Sequence, residues 1–200
     1  MGTGLTVGDV CTGVLDMLSQ SREISDADIA AGNSAEARWF ARRFEPAVRS
    51  LLRAHVWSFA KTTTEVTAAS ADDKYGYSYA YTIPSTYLRL LPVTHNGKPT
   101  GQRVPHKIEN GVLYCDNAGP LYLTGAAYVS DPDDWDDMFV EVVQGKLAMM
   151  YAPKLTGKTN YYNVAEAAYQ RALDSAVFIG AVEEWAPPPE ESDVILARYT

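Results

Sequence analysis

Apolar side chains recur at steps of three and four residues between Ala35 and Lys61, which predicts a long amphipathic helix. Asn33 or Ser34 can cap the start of this helix, and Glu36 falls in its first turn. The apolar positions form one arc, made of Phe40, Phe44, Val48, Leu51, His55 and Phe59. The opposite side carries a stripe of four basic residues, which we call the arginine face: Arg38, Arg42, Arg49 and Arg53.

Three further segments have helical patterning. Residues 5–18 predict a short helix, and the polar residues 19–33 predict a loop after it. Helix returns at Ser130, where several aspartates fall in or just before the first turn and meet the positive end of the helix dipole. Pro153 is expected to end or kink that helix, and a last, alanine-rich helix spans roughly Asn160 to Val182.

Between the helical parts the pattern changes to that of strands. Four tyrosines alternate with period two, at Tyr75, Tyr77, Tyr79 and Tyr81. Pro84 ends that run. Further strands are predicted at Leu88–Val93, Gly111–Cys115 and Pro120–Val129. Two dipeptides typical of hairpin turns occur, Asn96-Gly97 and Asn110-Gly111.

These elements predict an α+β fold, in which a helical bundle carries an inserted small antiparallel β lobe and an extended C-terminal tail. Residues 1–61 would form the N-terminal helical part and residues 62–130 the β lobe. Residues 131–186 would supply the C-terminal helices that complete the bundle. Three consecutive prolines then stop the last helix, and residues 187–200 have too few apolar groups to pack alone.

Composition and charge narrow the class of protein. The chain has 200 residues, 46% hydrophobic and 21% charged, which suits one globular domain or one domain with an inserted lobe. Its 25 acidic and 17 basic residues give a net charge of −8, so the protein has no general electrostatic attraction to DNA or anionic lipid. No apolar run approaches the roughly 20 residues of a membrane span. The N-terminal residues include Asp9 and Asp16 and lack the basic region of a signal peptide, so we expect cytoplasmic folding.

No motif for catalysis, a cofactor or a metal is complete. The stretch Gly157-Lys158-Thr159 would need a glycine at Ala152 to form a phosphate loop. The acidic run Asp131–Asp137 lacks the ligands of a calcium loop, which favours helix capping. Cys11 and Cys115 are expected to be free thiols. The three histidines, His55, His95 and His106, have no metal-binding spacing. The sequence therefore predicts a protein that is not an enzyme and holds no cofactor or metal.

Charge is divided unevenly along the chain. Residues 38–61 contain six basic residues and one acid, a net charge of +5, whereas residues 131–200 contain thirteen acids and five basic residues, a net charge of −8. The arginine face can be a solvated helix surface, or it can meet an acidic surface of a neighbouring copy or partner, since guanidinium groups suit carboxylate pairing at interfaces. DNA binding is disfavoured because no aromatic or glycine-rich basic segment accompanies the arginines.

Four segments, in order along residues 38–180, resemble the tail tubular protein A family, the head-to-tail adaptors of short-tailed bacteriophages. The first is Arg49–Ala60, which has the family's Leu-Arg-x-His-x-Trp-x-Phe-Ala pattern at the end of the long helix. The second is Tyr77–Leu90, with an aromatic strand, a proline and Leu-Arg. The third is the Glu-x-Gly hairpin of Lys107–Tyr114. The fourth runs from Trp135 and Phe139 into Lys146–Ala152 and is similar to the family's final helices.

The resemblance implies a structural virion protein of the phage neck, assembled in the host cytoplasm. It implies a closed ring of about twelve copies below the portal protein, which continues the DNA channel and offers a platform to the tail nozzle or a tail tubular B-type protein. DNA would pass through without specific binding, and no membrane would be involved. In this setting the arginine face would be a subunit interface.

The tail residues 187–200 suggest a docking peptide. Its last part carries apolar anchors and an arginine on an otherwise polar strand, at Val194, Ile195, Leu196, Arg198 and Tyr199. Such a segment can fill a groove in the portal or extend a sheet edge. A disordered terminus is the alternative interpretation.

Three other functions stay open at the level of sequence. A different neck or tail-completion protein would differ in ring size and in portal binding. A monomeric binding module would reveal itself by its mass. An enzyme would need a site assembled from distant residues, with His95 or His106 near a carboxylate in a concave pocket.

Overall fold

The structure of the protein is a computed structural model that describes residues 4–68, 70–71, 74–95, 101–155 and 159–183. The helices there are α1 (Val7–Met17), α2 (Asp26–Ala31), α3 (Ala35–Ala54), α4 (Asp137–Tyr151) and α5 (Thr159–Glu183). The strands are β1 (Lys61–Val66), β2 (Ser70–Ala71), β3 (Tyr79–Thr82), β4 (Tyr87–Leu90), β5 (His106–Glu109), β6 (Val112–Cys115) and β7 (Leu121–Ala127). The predicted α+β fold with a small antiparallel lobe between helical parts is confirmed. The predicted tail and the Asn96-Gly97 turn lie outside the described residues.

Side-chain caps fix where the helices begin. Ser34 accepts a hydrogen bond from the Ala37 N–H at 3.0 Å, so α3 starts where the sequence predicts. Thr6 and Asp9 form a reciprocal capping box at the start of α1. The helix expected from Ser130 begins later, at Asp137, because the chain first makes a short 3-10 turn at Pro132–Asp134.

The segment 19–33, predicted as a loop, contains the short helix α2. Ser25 and Asp28 form a second capping box at its start, and Gly32 ends it in the left-handed conformation with φ of 63°. Both signals are visible in the sequence. The prediction of a loop was wrong because it gave more weight to the polarity of the segment than to these capping residues.

Helix α3 ends earlier than predicted, at Ala54 instead of Lys61. His55 is extended, with φ of −127° and ψ of 149°. Two residues later the Trp57 indole N–H donates to the Leu51 carbonyl at 3.1 Å, as a second donor beside the His55 backbone N–H at 3.3 Å. The Trp57 ring packs edge-on against Phe139 of α4, with ring centroids 4.8 Å apart. This buried contact turns the chain out of the helix.

The β lobe consists of two antiparallel sheets, with strand orders β1-β7-β4 and β2-β3-β6-β5. Asn110 and Gly111 join β5 to β6 in a two-residue turn, as predicted. Both residues have positive φ, 51° and 76°, which is the conformation that an Asn-Gly hairpin turn requires. The predicted tyrosine strand is only partly present, since Tyr79 and Tyr81 lie in β3 but Tyr75 lies in a tight 3-10 turn with φ of 60°.

Two hydrophobic cores hold the molecule together. The larger core joins α1, α3, α4 and α5, so helices from both sides of the lobe share one interior. The smaller core lies inside the lobe and is centred on the fully buried Tyr81, Leu113 and Leu123. Arg89 of β4 connects the two parts, because its guanidinium donates to the Ala54 carbonyl at the end of α3 over 3.2 Å.

Candidate interaction surfaces

Among the described residues, the polar side chains that could suggest a catalytic or metal site make structural contacts instead. None of their His, Cys, Asp and Glu side chains form a group of three that could hold a metal. The His106 ring nitrogen Nδ1 lies 2.7 Å from the Val104 carbonyl oxygen, and His95 is exposed. His55 packs edge-on against Trp57 at 5.1 Å and lines, with Asp136, a small crevice between α3, α4 and α5.

The acidic run before α4 caps helical turns, as predicted. Asp131 accepts from the Asp133 N–H at 3.1 Å, and Asp136 accepts from the Met138 N–H at 2.8 Å. Asp133 accepts from the Gly4 N–H at 2.6 Å and thereby holds the N-terminal segment against the start of the C-terminal helices. These carboxylates satisfy backbone donors that would otherwise lack partners.

The two cysteines are free and buried, as expected, and lie in different cores. Burial, with a smaller contribution from Asp26, raises the pKa of the Cys11 thiol to about 12. Burial also raises the pKa of the Cys115 thiol. Both groups are therefore protonated at neutral pH and cannot act as nucleophiles there.

The arginine face is one exposed surface of α3, opposite a buried arc that includes Phe40, Val48 and Leu51. Two of its arginines have local partners. The Arg38 guanidinium donates to the Gly32 carbonyl at 2.8 Å. Arg49 lies 3.5 Å from the Glu45 carboxylate, and its guanidinium carbon lies 4.9 Å from the centre of the Tyr128 ring.

The remaining cations of α3 have no partner among the described residues. Arg42 and Arg53 of the arginine face, and Arg43 beside it, are exposed and make no hydrogen bond or ion pair there. Helix α3 carries five arginines against two glutamates, a net charge of +3. The face is thus a concentrated positive surface whose charges are available to an acidic partner. Its role as a subunit interface stays a prediction.

A second exposed surface, which is apolar and lies on α5, was not predicted from the sequence. Its three most exposed large apolar side chains are Phe178, Val182 and Val164, with 70%, 60% and 48% of their surface accessible. A soluble protein usually buries side chains of this size unless they serve an interaction. The signal was present, because Val164 and Phe178 lie 14 residues apart, close to four helical turns, and so share a face.

The predicted docking residues of the tail, Val194, Ile195, Leu196, Arg198 and Tyr199, lie outside the described residues. Gly157 and Lys158 of the rejected phosphate loop do as well. Within the described residues, no helix is both long and apolar enough to cross a membrane.

No known protein-family model matches this sequence, and no curated protein matches it. The resemblance to tail tubular proteins therefore rests on the four quoted segments.

Proposed function

We propose that this protein is a structural virion protein, a head-to-tail adaptor that forms a ring below the portal of a short-tailed phage. The observation that supports the proposal is the opposite charge of two parts of one chain. Helix α3 presents unpartnered arginines, whereas the sequence from Asp131 onward carries a net charge of −8. A closed ring needs such a pair, because each subunit meets its neighbour through two different patches.

The net charge suits a protein that surrounds DNA without holding it. About twelve copies, each with a charge of −8, make a strongly acidic ring that repels the phosphate backbone. The arginines would be neutralised between subunits instead of facing the channel. In this function the chain works through shape and self-association, with one face toward the portal protein and one toward the tail nozzle.

Light scattering of the purified protein, alone and mixed with the portal ring of its own virus, tests the proposal. We expect about one copy to join per portal subunit, as a symmetric assembly requires. A chain that stays monomeric and ignores the portal would remove the adaptor function. A ring of another size that does not bind the portal would favour a different neck or tail-completion protein.

Charge reversal on the arginine face sharpens the same experiment. Arg42→Glu together with Arg49→Glu should abolish the oligomer, since like charges would then face each other across the interface. The fold should survive because both side chains are exposed. Arg103→Glu, a charge reversal at an exposed position of the lobe, is the control and should leave assembly unchanged. Equal assembly by all variants would exclude the arginine face as the interface.

A further inference from the structure

Helix α5 has two apolar faces, and the protein covers only one of them. The covered face packs on α4 through Ala165 and Ala176, which are buried, and through the half-buried Tyr169 and Ala172. The other face carries the exposed Val164, Phe178 and Val182. A helix that is apolar on both sides is normally buried on both sides. The second face of α5 therefore lacks a cover within the described chain.

The second face has the spacing of a helix-packing seam. Its positions follow one another at steps of three and four residues: Val164, Ala168, Arg171, Ser175, Phe178 and Val182. Such a repeat presents one continuous stripe to a neighbouring helix. Arg171 lies at the centre of the stripe between the smaller Ala168 and Ser175, and the apolar side chains lie toward both ends.

A groove runs beside the middle of this seam. Ala168, Arg171 and Ser175 form one wall of an open depression of about 460 Å³. Met17, at the end of α1, and Glu141 and Gln144 of α4 contribute the rest of the lining. The surface next to the seam is therefore concave, and its lining carries one charge of each sign, from Glu141 and Arg171.

Charge identifies the surface that fits this seam. The exposed carboxylates that border the second face are Asp174 of α5 and Glu141 of α4, whereas Arg171 is a cation within the face; α3 has a net charge of +3. Asp174 is exposed and lies one turn before Phe178. A guanidinium group can pair with a carboxylate and stack on an aromatic ring, while its aliphatic stem covers apolar surface. The unpartnered Arg42 and Arg53 of α3 offer these contacts.

We propose that the second face of α5 docks on the arginine face of α3 in a neighbouring copy of this chain. The inference rests on the proposed ring and names the contact that would build it. Helix α4 packs against both α3 and α5, and the two faces point away from the shared core. Because the faces are unlike, every copy offers one to each neighbour, and the contact propagates around a ring.

Pairwise cross-linking of introduced cysteines tests this contact directly. One batch of protein carries Glu45→Cys, beside the arginine face, and a second batch carries Ser175→Cys, in the seam; both positions are exposed. The batches are mixed and treated with a short thiol cross-linker, free and on the portal ring. We expect a product that joins one chain of each kind and that is lost when Phe178→Asp is added to the second batch. The native cysteines are buried and do not interfere.

The controls separate the possible occupants of the face. Glu65→Cys, exposed on β1 of the lobe, mixed with Ser175→Cys should give no product. Cross-linking of Ser175→Cys chains to each other would mean a symmetric α5–α5 contact and would overturn the inference. An intramolecular cross-link in a chain that carries both Ser175→Cys and Leu196→Cys would mean that the tail covers this face of α5. That result would also overturn the inference.

The experiment distinguishes failure of the contact from failure of the function. Assembly on the portal without a product between Glu45→Cys and Ser175→Cys would contradict the contact and leave the adaptor function standing. Absence of both assembly and product would contradict both. Restoration of assembly by combining Arg42→Asp with Asp174→Arg, after each change alone had reduced it at least tenfold, would support the charge pairing of the two helices.

Discussion

At the scale of single residues, burial determines which groups can react. Cys11 and Cys115 have no accessible surface, and burial raises the pKa of both thiols. We expect neither thiol to react with an aromatic disulfide reagent in the native protein at neutral pH, because the thiolate is the reactive species. Both should react after unfolding in denaturant, which absorbance of the released thiol measures.

The Ser175→Cys variant provides the control for the thiol experiment, since position 175 is exposed. It should consume one equivalent of reagent at once and release one equivalent of aromatic thiol, while the two native thiols do not react. Fast reaction of the unchanged protein would mean that one of the two cores opens readily in the native state.

Tyr75 shows how single contacts override a sequence pattern. Its alternation with the following tyrosines predicts a strand, yet its ring lies under the Lys107 ammonium at 3.4 Å and its hydroxyl donates to the Glu109 carboxylate. Both partners belong to β5, 32 or more residues along the chain. Contacts so distant in sequence leave no trace in local periodicity.

At the scale of elements, Gly145 lets α4 and α5 approach closely. A Cβ at this position would lie 2.8 Å from the Tyr169 Cα, which is backbone and cannot move aside. We expect Gly145→Ala to lower the free energy of unfolding by about 1–3 kcal/mol, because the helices must separate. Chemical denaturation followed by circular dichroism measures this change.

The same substitution at Gly180 is a matched control. This glycine also lies in a helix, α5, but a Cβ there would meet only the His55 ring nitrogen Nε2 at 3.7 Å, an ordinary contact. Gly180→Ala should therefore raise the free energy of unfolding by up to about 1 kcal/mol through helix propensity. Equal effects of the two substitutions would argue against close packing at Gly145.

The elements that the sequence predicts well are those specified by local signals. The start of α3 follows from Ser34, the hairpin between β5 and β6 follows from Asn110-Gly111, and α5 lies within one residue of its predicted bounds. The predicted end of α3 was wrong because the observed end depends on the contact between Trp57 and Phe139, which is a tertiary contact. The arginine face could be predicted from the sequence because every one of its residues is charged.

The apolar face of α5 was not found because exposure is a property of the whole fold. A sequence can place Val164 and Phe178 on one side of a helix, but it cannot say which side of an alanine-rich helix the core will take. The buried Ala165 and Ala176 allow α5 to pack against α4, while Val164, Phe178 and Val182 remain exposed.

At the scale of the whole molecule, the adaptor proposal requires separate surfaces for neighbouring copies and for the portal. If residues 187–200 dock on the portal, deletion of residues 188–200 should weaken portal attachment by tenfold or more while leaving thermal unfolding unchanged. Sedimentation of the truncated chain with the portal ring measures attachment. Equal binding by the truncated and full-length chains would assign portal recognition to the described body.

The pairing of β1 with β7 places Lys61 opposite Ala126, so the chain leaves the helical body and returns to it through adjacent strands. An insertion joined in this way behaves as a cassette. The β1–β7 pairing holds its two attachment points together, and Leu88 of β4 is the one side chain of the described strands that packs against the helical core. Evolution can therefore lengthen, shorten or exchange this lobe to suit a new neighbour without redesigning the helical body, and a protein engineer can use the same site to display a foreign domain.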